Sequence, residues 1–272
     1  MSLRNKTVAF IGAGNMGEAL IRGLLGAKMV PPSRIIAADV RAERREFFMS
    51  SFGVQAVDDN VEAVKAADIV LLAVKPQQMS ELLAGLKPVM SGAKLMISIA
   101  AGVTTARIEQ ELGGQARVVR VMPNTPALVG AGAAALAKGA YATNNDLVSA
   151  ESILGAVGIV VRVEEKLMDA VTALSGSGPA YIFYVTEALI RAGVAAGLDE
   201  ALAKKLAIQT VFGAAKLLVE SGEEPESLRR KVTSPGGTTE AALKVLGEGR
   251  LVELFTEAIS AAQKRSRELS GS

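Results

Sequence analysis

Between Thr233 and Glu240 the chain reads Thr-Ser-Pro-Gly-Gly-Thr-Thr-Glu, hydroxyls and glycines laid just ahead of a helix expected to start near Thr239. A helix start carries unpaired amides and the positive end of the helix dipole, so the amides of Gly237, Thr238 and Thr239 suit a small carboxylate. The alternative is a plain helix cap followed by an exposed loop. Near the other end, Gly12-Ala13-Gly14-Asn15-Met16-Gly17 follows an apolar run, Val8-Ala9-Phe10-Ile11. There Gly12 allows a tight turn, Gly14 lets backbone approach a pyrophosphate, and Gly17 lets a helix lie against its strand. The same glycines also suit a packed strand–helix corner that binds nothing.

Histidine and cysteine are both absent. The commonest general acid, the commonest transition-metal ligand, disulfides and thiolate zinc sites are thereby excluded. Only oxygen donors remain for a hard cation, and no metal site is expected. Chemistry must rest on a cofactor, backbone amides, hydroxyls, lysine, arginine or carboxylates. The charge of +2, from 30 basic and 28 acidic residues, argues against a nucleic-acid groove or a basic membrane surface, and the few aromatics argue against base stacking.

The elements that position these residues follow from periodicity. Met16, Leu20, Gly23, Leu24 and Ala27 recur at helical spacing after the glycine turn. A second strand, Arg34 to Ala38, ends at Asp39, 22 residues beyond Gly17 and close to the roughly 20 expected of the acid that grips an adenosine ribose. Asp39 thus leans towards NADH, while Arg41, Arg44 and Arg45 are able to accept the 2′-phosphate of NADPH. Asp39 also suits the N-cap of the helix that runs to about Phe52.

Further strands are expected at Gly53–Ala56, Ala67–Val74, Leu95–Gly102, Arg117–Met122, Ala131–Ala137 and Val157–Val163. Helices are expected at Asp58–Ala67, Thr104–Leu112 and near Asp146–Leu154. In a doubly wound sheet ligands sit beyond the carboxyl ends of strands, so Ala73-Val74-Lys75-Pro76 should face a cofactor, although a loop lysine is also commonly just solvated. The small residues ending the fifth strand leave room for a nicotinamide ring.

After Glu164-Glu165-Lys166 no strand is expected. Helices are predicted at 167–174, 180–196, 199–221, 225–232, 239–246 and 250–269, with Ser175-Gly176-Ser177-Gly178-Pro179 as a loop that either packs tightly or meets a ligand. The stretch 180–198 is very apolar but contains Glu187 and Arg191, so it reads as a helix buried against a second subunit, not a membrane span. The expected fold is α/β: a Rossmann-type doubly wound sheet over residues 1–163, and an all-helical substrate-binding and dimerisation domain over residues 164–272. No targeting segment is read at the N-terminus, which points to the cytoplasm.

Taken together, the glycine turn, Ala73-Val74-Lys75-Pro76, Ala100-Ala101-Gly102-Val103-Thr104, Met122-Pro123-Asn124-Thr125-Pro126, Ser175 to Tyr181 and Ser234-Pro235-Gly236-Gly237-Thr238-Thr239 resemble the pyrroline-5-carboxylate reductases over nearly the whole chain. The resemblance implies NAD(P)H-dependent reduction of the C=N bond of 1-pyrroline-5-carboxylate to L-proline, the last step of proline biosynthesis. It implies cofactor contacts at Ile11, Gly12, Ala13, Gly14, Asn15, Met16, Asn60, Ala73, Val74, Lys75, Pro76, Ile99, Ala100 and Ala101. It puts the substrate carboxylate in the Ser234, Gly236, Gly237, Thr238 and Thr239 loop, with the Thr239 hydroxyl near the imine nitrogen. Family members that favour NADPH commonly carry a small hydroxyl residue where Asp39 stands.

Two other readings fit the N-terminal half. A β-hydroxyacid dehydrogenase-like oxidoreductase would need a lysine on the first long helix after the boundary, and none lies between Lys166 and Lys204. A non-catalytic NAD(P) sensor would have no use for the Ser234–Thr239 loop.

Overall fold

Four of the apolar runs read as strands, at residues 8–11, 35–38, 69–72 and 95–98, are buried on both faces, as parallel strands flanked by helices must be. In a computed structural model, which describes residues 3–270, β1 (Val8–Ile11), β2 (Ile35–Ala38), β3 (Gln55–Val57), β4 (Ile69–Leu72), β5 (Leu95–Ser98), β6 (Arg117–Met122), β7 (Gly132–Lys138) and β8 (Gly158–Arg162) form one sheet. Its order is β3-β2-β1-β4-β5-β6-β7-β8, and every pair is parallel except β6–β7. Residues 123–131 are too few for the crossover of a dozen or more residues that a parallel return requires, so β7 turns back against β6. The strand order reverses direction between β1 and β4, the position where such sheets bind dinucleotides.

Between the strands run α1 (Asn15–Gly26), α2 (Ala42–Phe52), α3 (Asn60–Ala66), α4 (Met79–Leu86), α5 (Thr105–Leu112) and α6 (Asn144–Gly155). Alternate residues of β1 feed two cores. Val8 and Phe10 pack with Leu20 and Leu24 of α1, Phe48 of α2 and Ile153 of α6. Ala9 and Ile11 pack with Val64 of α3, Met79 and Leu83 of α4, and Ile108 of α5.

Several sequence expectations need correction. Helix α4 is not among the expected elements, although Met79, Leu83 and Leu86 form its buried stripe. Strands expected to run to Val74 and Gly102 stop at Leu72 and Ser98, because the chain leaves the ladder where the strand ends open onto the ligand edge. Asp39 does not cap α2: the N-cap is Arg41, and the Asp39 carboxylate accepts from the Arg41 amide instead.

The expected loop at Ser175–Pro179 is also replaced, by nearly continuous helix. It runs from α7 (Met168–Val171) through a π turn (Thr172–Gly176) into α8 (Gly178–Ala195), with Ser177 N donating to Thr172 O at 2.8 Å. Pro179 has no N–H for the carbonyl four residues back, that of Ser175. The Asn124 side-chain amide fills the gap, donating to Ser175 O at 3.1 Å while its own carbonyl accepts from the Ala133 amide at 2.9 Å. Gly176 lies against the Met122 side chain, whose Cε would have to move aside for a Cβ there.

Helices α9 (Glu200–Ser221), α10 (Pro225–Lys231), α11 (Thr238–Glu248) and α12 (Leu251–Ser270) complete the chain, and no helix among the described residues is long and apolar enough to cross a membrane. The chain divides into two compact units: one runs to Ser177 and resumes at Ala262, the other is Gly178–Ala261. The boundary expected after Val163 falls at the end of β8. Packing carries the first unit further because Met168 is fully buried with Ala135 and Ala137 of β7. Within Gly178–Ala261 only Ala203 and Ala207 are buried, while Phe183, Tyr184, Leu206 and Phe212 are exposed.

Asn124→Ala should lower the unfolding free energy by about 1–3 kcal/mol, the cost of leaving a carbonyl and an amide without their partners. Denaturant titration of the two proteins measures it.

Candidate functional site

The glycine turn is built from three different constraints. Gly12 has φ +95°, and a Cβ there would lie 2.8 Å from the Ala73 carbonyl oxygen, so neither conformation nor space admits a side chain. Gly17 brings α1 onto the turn, where a Cβ would meet Gly12 O at 2.9 Å. Gly14 has open space where its side chain would be, and it is the N-cap of α1 without a side-chain oxygen to bind the first amides. The turn is pinned by Gly12 N to Ala38 O and Ala73 N to Ile11 O, each at 2.8 Å. What remains is an unobstructed helix start at the switch point, the geometry of an anion cradle.

Asp39 closes one side of it. Its Oδ2 accepts from Ala13 N at 3.0 Å and from Arg41 Nη2 at 3.1 Å; its Oδ1 accepts from Arg41 N at 2.9 Å and Arg41 Nε at 3.1 Å. Burial works against the charge, but the Arg41 side chain, the Arg41 and Ala13 amides and the guanidinium charge together hold the carboxyl below its usual range. The other two arginines are engaged elsewhere. Arg44 donates to Ala13 O and pairs with Glu18, and Arg45 donates to Asp39 O and Val40 O. Only Arg41, half-exposed beside a buried partner, faces outward.

A cleft of about 760 Å³ runs over this edge. It is lined by Gly12, Gly14, Asp39, Asn60, Ala73, Val74 and Lys75 from the sequence-derived set. Ile11, Ala13 and Gly17 lie buried beneath the turn, whereas Asn15, Met16, Pro76, Ile99, Ala100 and Ala101 are not among its walls. Sequence reasoning missed Glu81, Leu82, Gly85 and Leu86, which reach the cleft on α4, with Gln78 just ahead of it, and Asp58, Asp59 and Val61 at the start of α3. The spacing of Met79, Leu83 and Leu86 carried the signal for the former. For the latter it was Asp59, whose carboxylate caps Val61 N at 2.7 Å.

In the second unit Gly237, again without a side-chain cap, is the N-cap of α11. Gly237 N donates to Ser234 O at 3.0 Å and Gly236 N to the Glu240 carboxylate at 2.8 Å, so those two amides are already engaged. The amides offered to an anion are those of Thr238 and Thr239. Thr239 is half-buried, and Ser234 and Thr238 are exposed.

The chain matches known proteins along its length. A family model described as "Pyrroline-5-carboxylate reductase dimerisation" matches residues 165–269, and one described as "NADP oxidoreductase coenzyme F420-dependent" matches residues 7–102. The pyrroline-5-carboxylate reductase of Arabidopsis thaliana is 46% identical over 266 residues, 97% of this chain and 96% of that protein. That of Pseudomonas aeruginosa is 45% identical over 264 residues, 97% of this chain and 96% of its own. Among solved structures, a pyrroline-5-carboxylate reductase from Coxiella burnetii superposes with a TM-score of 0.93 at 43% identity, covering 97% of this chain and 98% of that one. A Plasmodium falciparum pyrroline carboxylate reductase with NADP bound superposes at 0.86 with 31% identity, covering 98% and 99%.

Because the folded Asp39 carboxyl lies below its unfolded value of about 3.9, the stability it contributes is complete above that value and is lost as pH falls through the folded one. Asp39→Asn should therefore lose less stability than wild type on acidification below about pH 4. Unfolding midpoints measured across that window test the difference.

Proposed function

The chain belongs to the pyrroline-5-carboxylate reductase family, and from that premise we propose how its residues carry the reduction of the C=N bond of 1-pyrroline-5-carboxylate to L-proline. It is an NAD(P)H-dependent oxidoreductase, and family membership sets aside the hydroxyacid dehydrogenase and sensor readings. We assign cofactor binding to residues 1–163, and substrate binding with dimerisation to residues 164–272.

The glycine cradle, the open space at Gly14 and the 760 Å³ cleft fit a dinucleotide. In our reading the amides from Gly14 to Gly17 take the pyrophosphate and Asp39 with Arg41 takes the adenosine ribose. Asn60 and the Ala73–Pro76 segment flank the cofactor, and Ile99, Ala100 and Ala101 support the nicotinamide, whose reduced ring supplies the hydride when bound.

The feature that carries the substrate assignment is the uncapped start of α11. Thr238 and Thr239 amides would hold the substrate carboxylate with the help of the helix dipole, and the Ser234–Gly237 turn would shape the approach. Thr239 Oγ1 would orient the imine nitrogen. A chain without histidine does not need to deliver a proton from a side chain if the imine arrives as an iminium ion, so alignment becomes the protein's main task. The exposed apolar faces of the second unit fit a second copy of the chain, in keeping with the dimerisation family that it matches. We infer a homodimer or higher homo-oligomer working in the cytoplasm.

For the cofactor we infer that Asp39 favours NADH while Arg41, the one arginine of the three facing outward, admits NADPH. Asp39→Ser should shift the ratio of kcat/KM values towards NADPH, and Arg41→Ala should depress kcat/KM for NADPH more than for NADH. Thr239→Val should lower kcat/KM for 1-pyrroline-5-carboxylate by about 10- to 1000-fold, the range for an aimed donor. Steady-state rates of NAD(P)H oxidation decide both, and an unchanged Thr239→Val enzyme would remove that hydroxyl from the mechanism.

A further inference from the structure

The segment Ile99–Val103 joins β5 to α5 with only apolar or absent side chains: Ile, Ala, Ala, Gly, Val. Ala100 and Val103 are buried in the core beneath it, and with no polar side chain of its own the segment takes its remaining, directional anchors from its flanks. On the strand side Ile99 N donates to Leu72 O at 3.1 Å. On the helix side the anchor comes from 60 residues away. Glu165 Oε1 accepts from Thr105 N at 2.8 Å, and Glu165 Oε2 accepts from Thr105 Oγ1 at 2.5 Å.

The Glu165 carboxylate is in turn held by Arg120 Nη1 at 3.3 Å, from a guanidinium buried in β6. Glu109, one turn along α5, is buried as well; burial first, and then the Glu165 charge, push its carboxyl up against the pull of the Tyr141 and Ala140 amides. The carboxylate paired with Arg120 is that of Glu165. Underneath, Gly102 (φ +73°) is packed on the end of α12, where a Cβ would sit 3.4 Å from the Leu269 carbonyl.

We propose that Glu165 is a positioning residue of the reduction: by clamping Thr105 at the first turn of α5, its carboxylate sets where Ile99–Thr104 stands. This rests on the reading that Ile99, Ala100 and Ala101 support the nicotinamide. Glu165 touches neither substrate nor cofactor in this scheme. Releasing the clamp lets the segment drift while the pyrophosphate cradle at Gly12–Gly17 stays intact, so alignment suffers and cofactor affinity does not.

The test uses Glu165→Ala, Glu165→Gln and Thr105→Val in the full-length protein, with Ala101→Leu as a direct probe of the segment. In protein without cofactor, amide hydrogen exchange over residues 99–105 should quicken at least about ten-fold in Glu165→Ala relative to wild type, with the exchange of β1 unchanged. With cofactor, kcat should fall about 10- to 100-fold in Glu165→Ala and less in Glu165→Gln, which keeps an acceptor for the Thr105 amide. The dissociation constant of NADPH, read by its fluorescence, should stay within about three-fold, and the isotope effect with 4-deuterated cofactor should rise. If Glu165→Ala fails to fold, Glu165→Gln and Thr105→Val carry the test.

Wild-type kcat and wild-type exchange in the folded variants overturn the proposal, as does a kcat loss matched by an equal loss of cofactor affinity. A damaging Ala101→Leu beside inert Glu165 variants overturns it while leaving the nicotinamide reading in place. An inert Ala101→Leu overturns that reading, and the proposal with it.

Discussion

The approach of the Gly12 turn to the end of β4 is the constraint on which the first unit depends. At that point the backbone of residue 12 lies so close to Ala73 that a single added carbon would overlap its carbonyl, while the Gly12 and Ala73 amides bond to β2 and β1. The helix start is thereby placed at the one position where neighbouring strands send their connections to opposite faces of the sheet. A larger residue at position 12 or 17 would separate turn, strand and helix together, since Gly17 is packed on the Gly12 carbonyl. Cofactor edge and hydrophobic core are therefore one construction: Ile11 lies at the centre of a core and the next residue forms the cradle.

The second unit is held together differently. A helical array that buries only two alanines of its own cannot rest on an internal core, because its apolar side chains would stay in contact with water. Close contacts such as Gly193 of α8 against Ala203 of α9 order the helices, but they cover little surface. In the proposed reading a second copy of the chain would cover these faces, and assembly would then be part of folding for this half.

Much of this was legible in the amino-acid order because the deciding signals are local. Apolar runs with glycine or proline at their ends marked all eight strands, and the turn at Gly12 combined spacing with mechanism. The positions that were not legible depend on partners distant in the chain. The stretch Ser175–Pro179 reads as a glycine loop until Asn124, 51 residues before Ser175, is seen satisfying the Ser175 carbonyl within nearly continuous helix. Arg44 and Arg45 look equal to Arg41 until their bonds to Ala13 O, Asp39 O and Val40 O are seen to draw them in against the backbone, while Arg41, paired with Asp39, stays half-exposed. Helix α4 was hidden for another reason: Pro76 and Pro88 lie at its two ends, and a short buried stripe between prolines resembles a loop.

The helix starts divide by what occupies their first amides. Asp59, Thr104, Thr143 and Asp199 each turn a side-chain oxygen onto the helix they begin. Arg41, Gln78, Glu224, Gly14 and Gly237 do not, and of these the two glycines share nearly one backbone conformation, φ −79° and ψ −171° against φ −83° and ψ 170°. A serine or aspartate at either position would satisfy an amide internally, by roughly a few tenths of a kcal/mol relative to glycine, and would then compete with any anion for it. Glycine gives up that stabilisation and leaves the dipole and the amides pointed at solvent. In the proposed reading, one such start meets the pyrophosphate and the other the carboxylate of the imino acid. A chain without histidine would then grip both reactants through its main chain.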